Sequence, residues 1–158
     1  VGAYLPINSM EQYYKHNMEL LNSEVRDLVF NNTQIYTKVR DSAPTKYGLS
    51  AKVQNSFIAD GCEIEGTVIN SVIGSNVKIG KGAKVIDSVI FADVEIKDGA
   101  TINYSIIDEK VIIGENAMIG NEKSDEAKIA LIGRECNIKP GKVLSGGCNL
   151  EAGKEDQE

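Results

Sequence analysis

The side chains that could act as a catalyst or a metal ligand are few and lie far apart. The only histidine, His16, lies near the N-terminus. The three cysteines, Cys62, Cys136 and Cys148, are widely spaced and form no C-x-x-C pair, which fits neither a disulfide framework nor a structural zinc site. We therefore expect a surface or docking role for His16, free thiols at the cysteines, and neither a catalytic residue nor a metal site.

Basic residues are the other candidates for chemistry, because they can bind a small anion. Lys38, Arg40 and Lys46 lie close together in the sequence, and Lys78 follows further along. Ammonium and guanidinium groups donate charge-assisted hydrogen bonds to phosphate oxygens, so these four residues are candidates for binding a sugar phosphate. The alternative is that they are solvated surface residues.

Composition limits the possible partners. The chain has 17 Lys+Arg against 23 Asp+Glu, a net charge of -6 and no long basic cluster, which disfavours nucleic acid and anionic lipid as ligands. No segment approaches the roughly 20 apolar residues that span a bilayer, and the first residues lack a signal-peptide pattern. We expect a cytoplasmic protein. Because the chain opens on Val1 rather than methionine, we also expect it to be a piece of a longer protein.

The elements that position these residues repeat along the chain. Serine, an apolar residue and isoleucine follow one another at Ser56, Ser71, Ser88 and Ser105, at spacings of 15, 17 and 17 residues. Between these copies, isoleucines recur every six residues. This period predicts short strands that turn a corner every six residues, as in a β-helix solenoid with the isoleucines inside. The predicted inward residues include Ile73, Ile79, Ile90, Ile96, Ile107, Ile113, Cys62 and Cys136.

The N-terminal part of the chain has a helical pattern instead. Ser9 and Gln12 form a capping-box signature at the start of a helix, and a second helical segment is predicted over residues 24–30. The apolar stripe of the first helix comprises Met10, Tyr13, Tyr14, Met18 and Leu21. A stripe of this kind needs a covering surface, and we expect the solenoid to provide it.

These patterns divide the chain into three parts. Alternation predicts a strand over residues 35–39, and the proline and glycine of residues 41–48 predict a loop. We interpret residues 1–48 as a helical segment, strand and linker loop that precede the solenoid. Residues 49–150 form the predicted solenoid, and residues 151–158 a tail.

Three motifs carry a resemblance to a known family. They are "YYKHNMELL" at 13–21, "IYTKVRDSAPTKYG" at 35–48 and "DGCEIEGTVI" at 60–69. Together they resemble the C-terminal region of bacterial glucose-1-phosphate adenylyltransferase, also called ADP-glucose pyrophosphorylase. The resemblance covers almost the whole chain and implies an all-β fold, a left-handed parallel β-helix preceded by a short helical segment.

The resemblance also implies a function. In that family an N-terminal α/β domain joins glucose 1-phosphate to ATP with magnesium, yielding pyrophosphate and the ADP-glucose used for glycogen. The resemblance implies that this catalytic domain is missing here and that residues 1–48 come from its edge. Magnesium and ATP are thus implied for the missing domain, and no cofactor for this chain. The family's β-helix packs on its own catalytic domain, takes part in homo- or hetero-oligomers and helps to form a site for an anionic effector. Carried over by position, Lys78 and Lys46 become effector-binding candidates, with Lys38 and Arg40 nearby.

One difference from the catalytic members suggests a subtype. Those members carry an aspartate in a Tyr-Trp-x-Asp-Val-Gly-Thr-like segment before the helix, whereas this chain reads "AYLPINSM", with Pro6 about where the acid stands. This departure favours a regulatory, GlgD-type subunit. Two alternatives stay open. One is a hexapeptide-repeat acyltransferase, although residues 49–150 contain no histidine to act as its general base. The other is a sugar nucleotidyltransferase of another specificity.

Overall fold

The computed structural model describes residues 5–30 and 41–153. Two helices, α1 (Met10–Glu19) and α2 (Ser23–Phe30), precede the strands. The strands of the first sheet are β1 (Lys46–Tyr47), β4 (Glu63–Ile64), β7 (Lys78–Ile79), β10 (Glu95–Ile96), β13 (Ile112–Ile113) and β16 (Asn137–Ile138). The strands of the second sheet are β2 (Lys52–Gln54), β5 (Thr67–Ile69), β8 (Lys84–Ile86), β11 (Thr101–Asn103), β14 (Met118–Ile119) and β17 (Val143–Leu144). The strands of the third sheet are β3 (Phe57–Ile58), β6 (Val72–Ile73), β9 (Val89–Ile90), β12 (Ser105–Ile107), β15 (Ala130–Ile132) and β18 (Asn149–Leu150).

Each coil of the chain contributes one strand to each of the three sheets. All the strand pairs are parallel, and each strand from β1 to β15 pairs with the strand three positions later in the chain. The six-residue period explains this arrangement, because a short strand and a corner together use about six residues. The predicted parallel β-solenoid is confirmed.

Isoleucines stacked along the inside of the coils form most of the core. Ile79, Ile96 and Ile113 stand in register on adjacent strands of the first sheet, and each is at most 1% exposed. Ile73, Ile90 and Ile107 repeat this arrangement in the third sheet. Cys62 and Cys136 fill inward positions next to the strands, as do Val77, Val94, Val111 and Ala117. Burial of these stacked side chains supplies the driving force for coiling.

A ladder of serines runs up one corner of the solenoid. Ser71, Ser88 and Ser105 are fully buried, and each hydroxyl donates to the carbonyl two residues earlier at 2.6–2.7 Å. Each hydroxyl oxygen except the last also accepts the backbone N–H of the next serine, as Ser88 Oγ does from Ser105 N at 3.2 Å. The repeat of serine noted in the sequence therefore satisfies backbone groups that the corner leaves unpaired.

Ser88→Ala is expected to lower the free energy of unfolding by about 1 to 3 kcal/mol, because it leaves the buried N–H of Ser105 without its acceptor. Ser75→Ala is the matched control, since Ser75 is a half-exposed corner residue whose hydroxyl makes no hydrogen bond within the described residues. Urea unfolding of both variants provides the measurement. Equal stability of the two variants would contradict a structural role for the ladder.

The N-terminal helix begins where the capping signature predicts. Ser9 Oγ accepts the backbone N–H of Gln12 at 3.2 Å, and Gln12 Oε1 accepts the N–H of Asn8 at 2.8 Å. The return bond thus goes to Asn8 rather than to Ser9. Helix α2 begins at Ser23, one residue before its predicted start.

The segment that joins the helices to the solenoid needs one correction. Residues 41–48 were predicted to be a loop, but Lys46–Tyr47 form β1, which pairs with β4. Pairing with the next coil outweighs the loop signals of the neighbouring proline and glycine. The first paired strand therefore begins before residue 49. The strand predicted over residues 35–39 lies outside the described residues.

Candidate functional site

His16 has a structural position on α1. Its Nδ1 lies 3.0 Å from Glu19 Oε2 and its Nε2 lies 3.1 Å from the carbonyl oxygen of Pro6. Both ring nitrogens are thus engaged, and they hold the segment before α1 against the helix. No other histidine occurs in the chain, so the coils have no imidazole for acid–base catalysis.

The thiols also have structural contacts. Cys62 Sγ donates to the carbonyl oxygen of Gly74, and Cys136 Sγ donates to that of Glu151, both at 3.1 Å. Burial raises the pKa of the Cys62 thiol and of the half-buried Cys148 thiol, which disfavours the reactive thiolate. The cysteines therefore contribute to the core, and the raised pKa values keep Cys62 and Cys148 as protonated thiols at neutral pH.

The described residues also lack two other features. Within residues 5–30 and 41–153, no three histidine, cysteine or acidic side chains come together in a way that could hold a metal ion. Across the same residues, neither helix has the length and apolar character needed to cross a bilayer.

The outer face of the third sheet is the main docking surface in the structure. The residue after each repeated serine points outward and is apolar, and Val89 and Ile106 are 2% and 5% exposed because α1 lies over them. Tyr13 of α1 stacks on Phe91 with ring centroids 6.1 Å apart. This helix-docking face comprises Tyr14, Val89 and Ile106, with Tyr13, Met18, Phe91, Tyr104, Ile129 and Leu131 around them. Tyr13, Tyr14 and Met18 of the predicted stripe thus pack against the solenoid, whereas Met10 remains 46% exposed.

Tyr14 anchors α1 to a corner of the solenoid. Its ring is 4% exposed and packs edge-on against Tyr104 at 5.0 Å, and its hydroxyl donates to the carbonyl oxygen of Asp87 at 2.6 Å. Asp87 and Tyr104 occupy equivalent corner positions on adjacent coils, with φ of +49° and +41°. Aspartate tolerates this left-handed conformation, whereas tyrosine does so at a cost. The packing of the Tyr104 ring against Tyr14 offsets this backbone cost.

The insertion between β14 and β15 contributes to the same surface. Residues 121–127 interrupt the repeat, and most of their side chains are exposed. Lys123 contacts the helix-docking face, since its Nζ lies 5.6 Å from the Tyr14 ring centroid and 5.7 Å from that of Tyr104. A cation over two aromatic rings is attracted by both. The loop therefore adds to the binding of α1.

Alkaline pH is expected to weaken the docking of α1. Burial raises the pKa of the Tyr14 hydroxyl, and nearby Asp87 adds to the shift. A raised pKa means that the contribution to stability is complete below the unfolded value of about 10 and falls as the pH rises above it. Because burial also raises the pKa of Tyr13 and Tyr104, absorbance titration should show more than one late ionisation step, and the latest step should be absent in Tyr14→Phe. Ionisation of Tyr14 together with the exposed tyrosines would contradict its burial under α1.

The outer face of the first sheet carries charges. Lys46, Glu63, Lys78 and Glu95 stand at equivalent positions on adjacent strands, so their side chains form one column of alternating sign. We call this column the charge ladder. Of the four candidate effector residues, Lys46 and Lys78 thus share a face, with Glu63 between them. Lys38 and Arg40 lie outside the described residues.

Curated relatives match half of the chain or nearly all of it. "Glycogen biosynthesis protein GlgD" of Bacillus subtilis (strain 168) is 46% identical over 85 residues, which are 53% of this chain and 25% of that protein. "Glucose-1-phosphate adenylyltransferase" of Desulfitobacterium hafniense (strain DSM 10664 / DCB-2) is 32% identical over 153 residues, which are 94% of this chain and 38% of that protein. The chain therefore spans between a quarter and two fifths of the length of these relatives.

Solved structures agree on the fold. The acetyltransferase domain of PglB from Neisseria gonorrhoeae FA1090 superposes with a TM-score of 0.63 over 88% of this chain and 62% of its own, at 19% sequence identity. An identity this low supports the shared solenoid and nothing about activity. The model of the family described as "GlmU-like, C-terminal hexapeptide" matches residues 42–136, which are more than half of the chain. The chain therefore belongs to the GlmU-like C-terminal hexapeptide family.

Proposed function

We propose that this chain is the C-terminal assembly and regulatory part of a subunit of glucose-1-phosphate adenylyltransferase, of the GlgD type. The observation that carries the proposal is the match to the Desulfitobacterium enzyme, which covers 94% of the chain and so includes α1 together with the solenoid. The higher identity to GlgD, 46%, favours the regulatory type. The parent enzyme would convert ATP and glucose 1-phosphate into ADP-glucose and pyrophosphate.

The physical basis of the proposal is a rigid platform. Parallel coils with a continuous isoleucine core present long, flat outer faces that suit contacts between domains and subunits. Helix α1 is fixed to this platform by the buried ring and hydroxyl of Tyr14. A domain that is joined to α1 in the sequence would therefore begin at a defined place relative to the coils.

The described residues do not fit the catalytic part of the reaction. No group of three possible ligands for magnesium occurs among them, and their acidic residues serve corners and strand faces, as when Asp98 Oδ1 accepts the N–H of Lys81 at 2.9 Å. We therefore assign no step with magnesium or ATP to residues 5–30 and 41–153. We propose instead that a catalytic domain, or a catalytic partner subunit, supplies that chemistry.

Assembly with a catalytic subunit is the direct test. The full-length protein that carries this chain would be mixed with a glucose-1-phosphate adenylyltransferase from the same organism and analysed by sedimentation velocity. We expect a hetero-oligomer that is lost when residues 1–158 are deleted. A hetero-oligomer that forms equally well without these residues would contradict the assembly role.

The acyltransferase alternative is separated by coenzyme A binding. Its only structural support is the fold shared with acetyltransferases such as the PglB domain. The proposal predicts no saturable binding of coenzyme A to this chain in calorimetry. Saturable binding would favour the alternative, despite the lack of a histidine in the coils.

We further propose that an anionic sugar phosphate, acting as an effector, binds near Lys46 and Lys78. Glu63 lies between these two lysines and repels an anion. Glu63→Gln is therefore expected to strengthen binding about two- to fivefold, the range of exposed charge interactions. Calorimetry with inorganic phosphate and fructose bisphosphate provides the measurement, and Glu115→Gln, at an exposed corner, is the control. If Glu63→Gln changes nothing, Lys46 and Lys78 are not the binding residues.

A further inference from the structure

The charge ladder of the first sheet is not satisfied within its own chain. Lys46, Glu63 and Lys78 are exposed, and none of them forms an ion pair in the part of the chain that the structure describes. Only Glu95 has a partner, Lys97, whose Nζ lies 2.7 Å from Glu95 Oε1. The central pair, Glu63 and Lys78, therefore retains charges that a partner can use.

The order of these charges allows two copies of the ladder to pair with each other. Along the ladder the signs run plus, minus, plus, minus from Lys46 to Glu95. If a second, identical ladder faces the first and runs in the opposite direction, every plus meets a minus. Glu63 then meets Lys78 of the second copy, Lys78 meets Glu63 of the second copy, and the outer residues pair likewise. A two-fold axis between β4 and β7 produces this arrangement.

We propose that the outer face of β1, β4, β7 and β10 binds the same face of a second copy of this chain about that axis. This inference rests on the assembly role proposed above and names the surface and the partner. The alternation favours a partner that carries the matching alternation over a small ion that binds alone, because an anion at Lys78 faces two carboxylates and a cation at Glu63 faces two lysines. The sugar phosphate proposed above and the second copy would therefore compete for Lys46 and Lys78. All four charges are paired only in this alignment, because moving the axis by one strand leaves two of them without an opposite charge, and complementary charges serve specificity in particular.

The charge order also fixes the alignment of the two copies. If the axis moves by half a strand spacing, it passes through β7. Lys78 then faces Lys78 of the second copy, and Glu63 faces Glu95 of the second copy, so that like charges meet at both positions. The contact area is small, because two-residue strands about 4.8 Å apart give a face well below the size of a stable interface. We therefore expect weak association, measurable at high concentration and stronger when other parts of an assembly hold the copies together.

Charge reversal at the central pair tests the proposal. Lys78→Glu places two like-charged contacts across the axis, and so does Glu63→Lys. In an equimolar mixture of these two variants, each variant supplies the charge that the other lacks, so association is restored between them. The double variant, E63K/K78E, restores it within one protein. Lys84→Glu is the matched control, since Lys84 is exposed on β8 in the second sheet and lies opposite two threonines.

Sedimentation equilibrium of the full chain into the millimolar range provides the measurement. We expect each single reversal to weaken self-association at least about tenfold, and both the mixture and the double variant to return it to near the original value. A mixture no stronger than the single variants, an equal loss in Lys84→Glu, or an original chain that stays monomeric would overturn the proposal. Any of these results together with intact assembly on a catalytic subunit would refute this face alone, and leave the proposed function standing.

Discussion

Ile113→Ala is expected to lower the free energy of unfolding by about 2 to 5 kcal/mol, the cost of removing a large apolar side chain from a close-packed core. Ile113 is 0% exposed and stands in register with Ile96 and Ile138. Because Ile113 packs between Ile96 and Ile138 of the two adjacent coils, the cavity should weaken the contacts of three coils at once. Urea unfolding at equilibrium provides the measurement.

The control for this prediction is the preceding residue of the same strand. Ile112 points outward from β13 and is 41% exposed, so Ile112→Ala removes the same atoms without opening a cavity. We expect a loss below about 1 kcal/mol for this variant, as for most surface changes. Equal losses for Ile112→Ala and Ile113→Ala would contradict the inward direction of the isoleucine stacks.

Gly120→Ala is the second substitution for which we expect a large effect. Gly120 follows β14 with φ of +75°, and an added Cβ would overlap the carbonyl oxygen of Asn103 and lie 2.5 Å from Ser105 Oγ. The variant therefore combines backbone strain with displacement of the adjacent coil at the end of the serine ladder. We expect a loss of about 2 to 5 kcal/mol, measured by thermal or urea unfolding.

A second glycine separates the two causes. Gly82 has nearly the same φ, +69°, but an added Cβ would meet no atom within 4 Å. Gly82→Ala should therefore cost only the backbone strain, about 1 to 2 kcal/mol. If Gly120→Ala costs no more than Gly82→Ala, the close approach of the coils at Gly120 is wrong.

The repeated pattern was enough to predict the solenoid, because each coil repeats the same local requirement. An isoleucine every six residues can be buried only if the chain turns at the same interval, and serine repeats at one corner for the same reason. The capping residues of α1 are likewise local signals, since Ser9 and Gln12 contact each other directly. The solenoid and the start of α1 therefore agree with the structure, whereas the loop predicted over residues 41–48 does not, because β1 pairs with β4 of the next coil.

The sequence contains a signal for the position of α1 in the outward-facing residues of the three sheets. In the third sheet the outward residue after each serine is apolar, from Phe57 to Ile106, whereas in the first sheet the outward residues alternate in charge. This contrast identifies the sheet that a helix covers. Comparison of the outward positions of the three sheets would have found both the helix-docking face and the charge ladder.

Other features could not have been predicted from local patterns. Lys123 reaches Tyr14 and Tyr104 only after the insertion folds back over the coils, and its sequence neighbours give no indication of these contacts. Lys46 and Lys78 were predicted to bind an anion from their charge and from their positions in the family resemblance. Their register on β1 and β7 shows that a carboxylate separates them, which requires knowledge of strand pairing.

The measurement that tests the proposed function most directly is ADP-glucose synthesis. The full-length protein that carries this chain would be assayed alone and mixed with a catalytic glucose-1-phosphate adenylyltransferase from the same organism, with and without sugar-phosphate effectors. We predict no synthesis by the protein alone, and a changed rate or effector response of the enzyme in the mixture. An unchanged rate and response in the mixture would contradict the regulatory role, and robust synthesis by the protein alone would show that it is itself the enzyme.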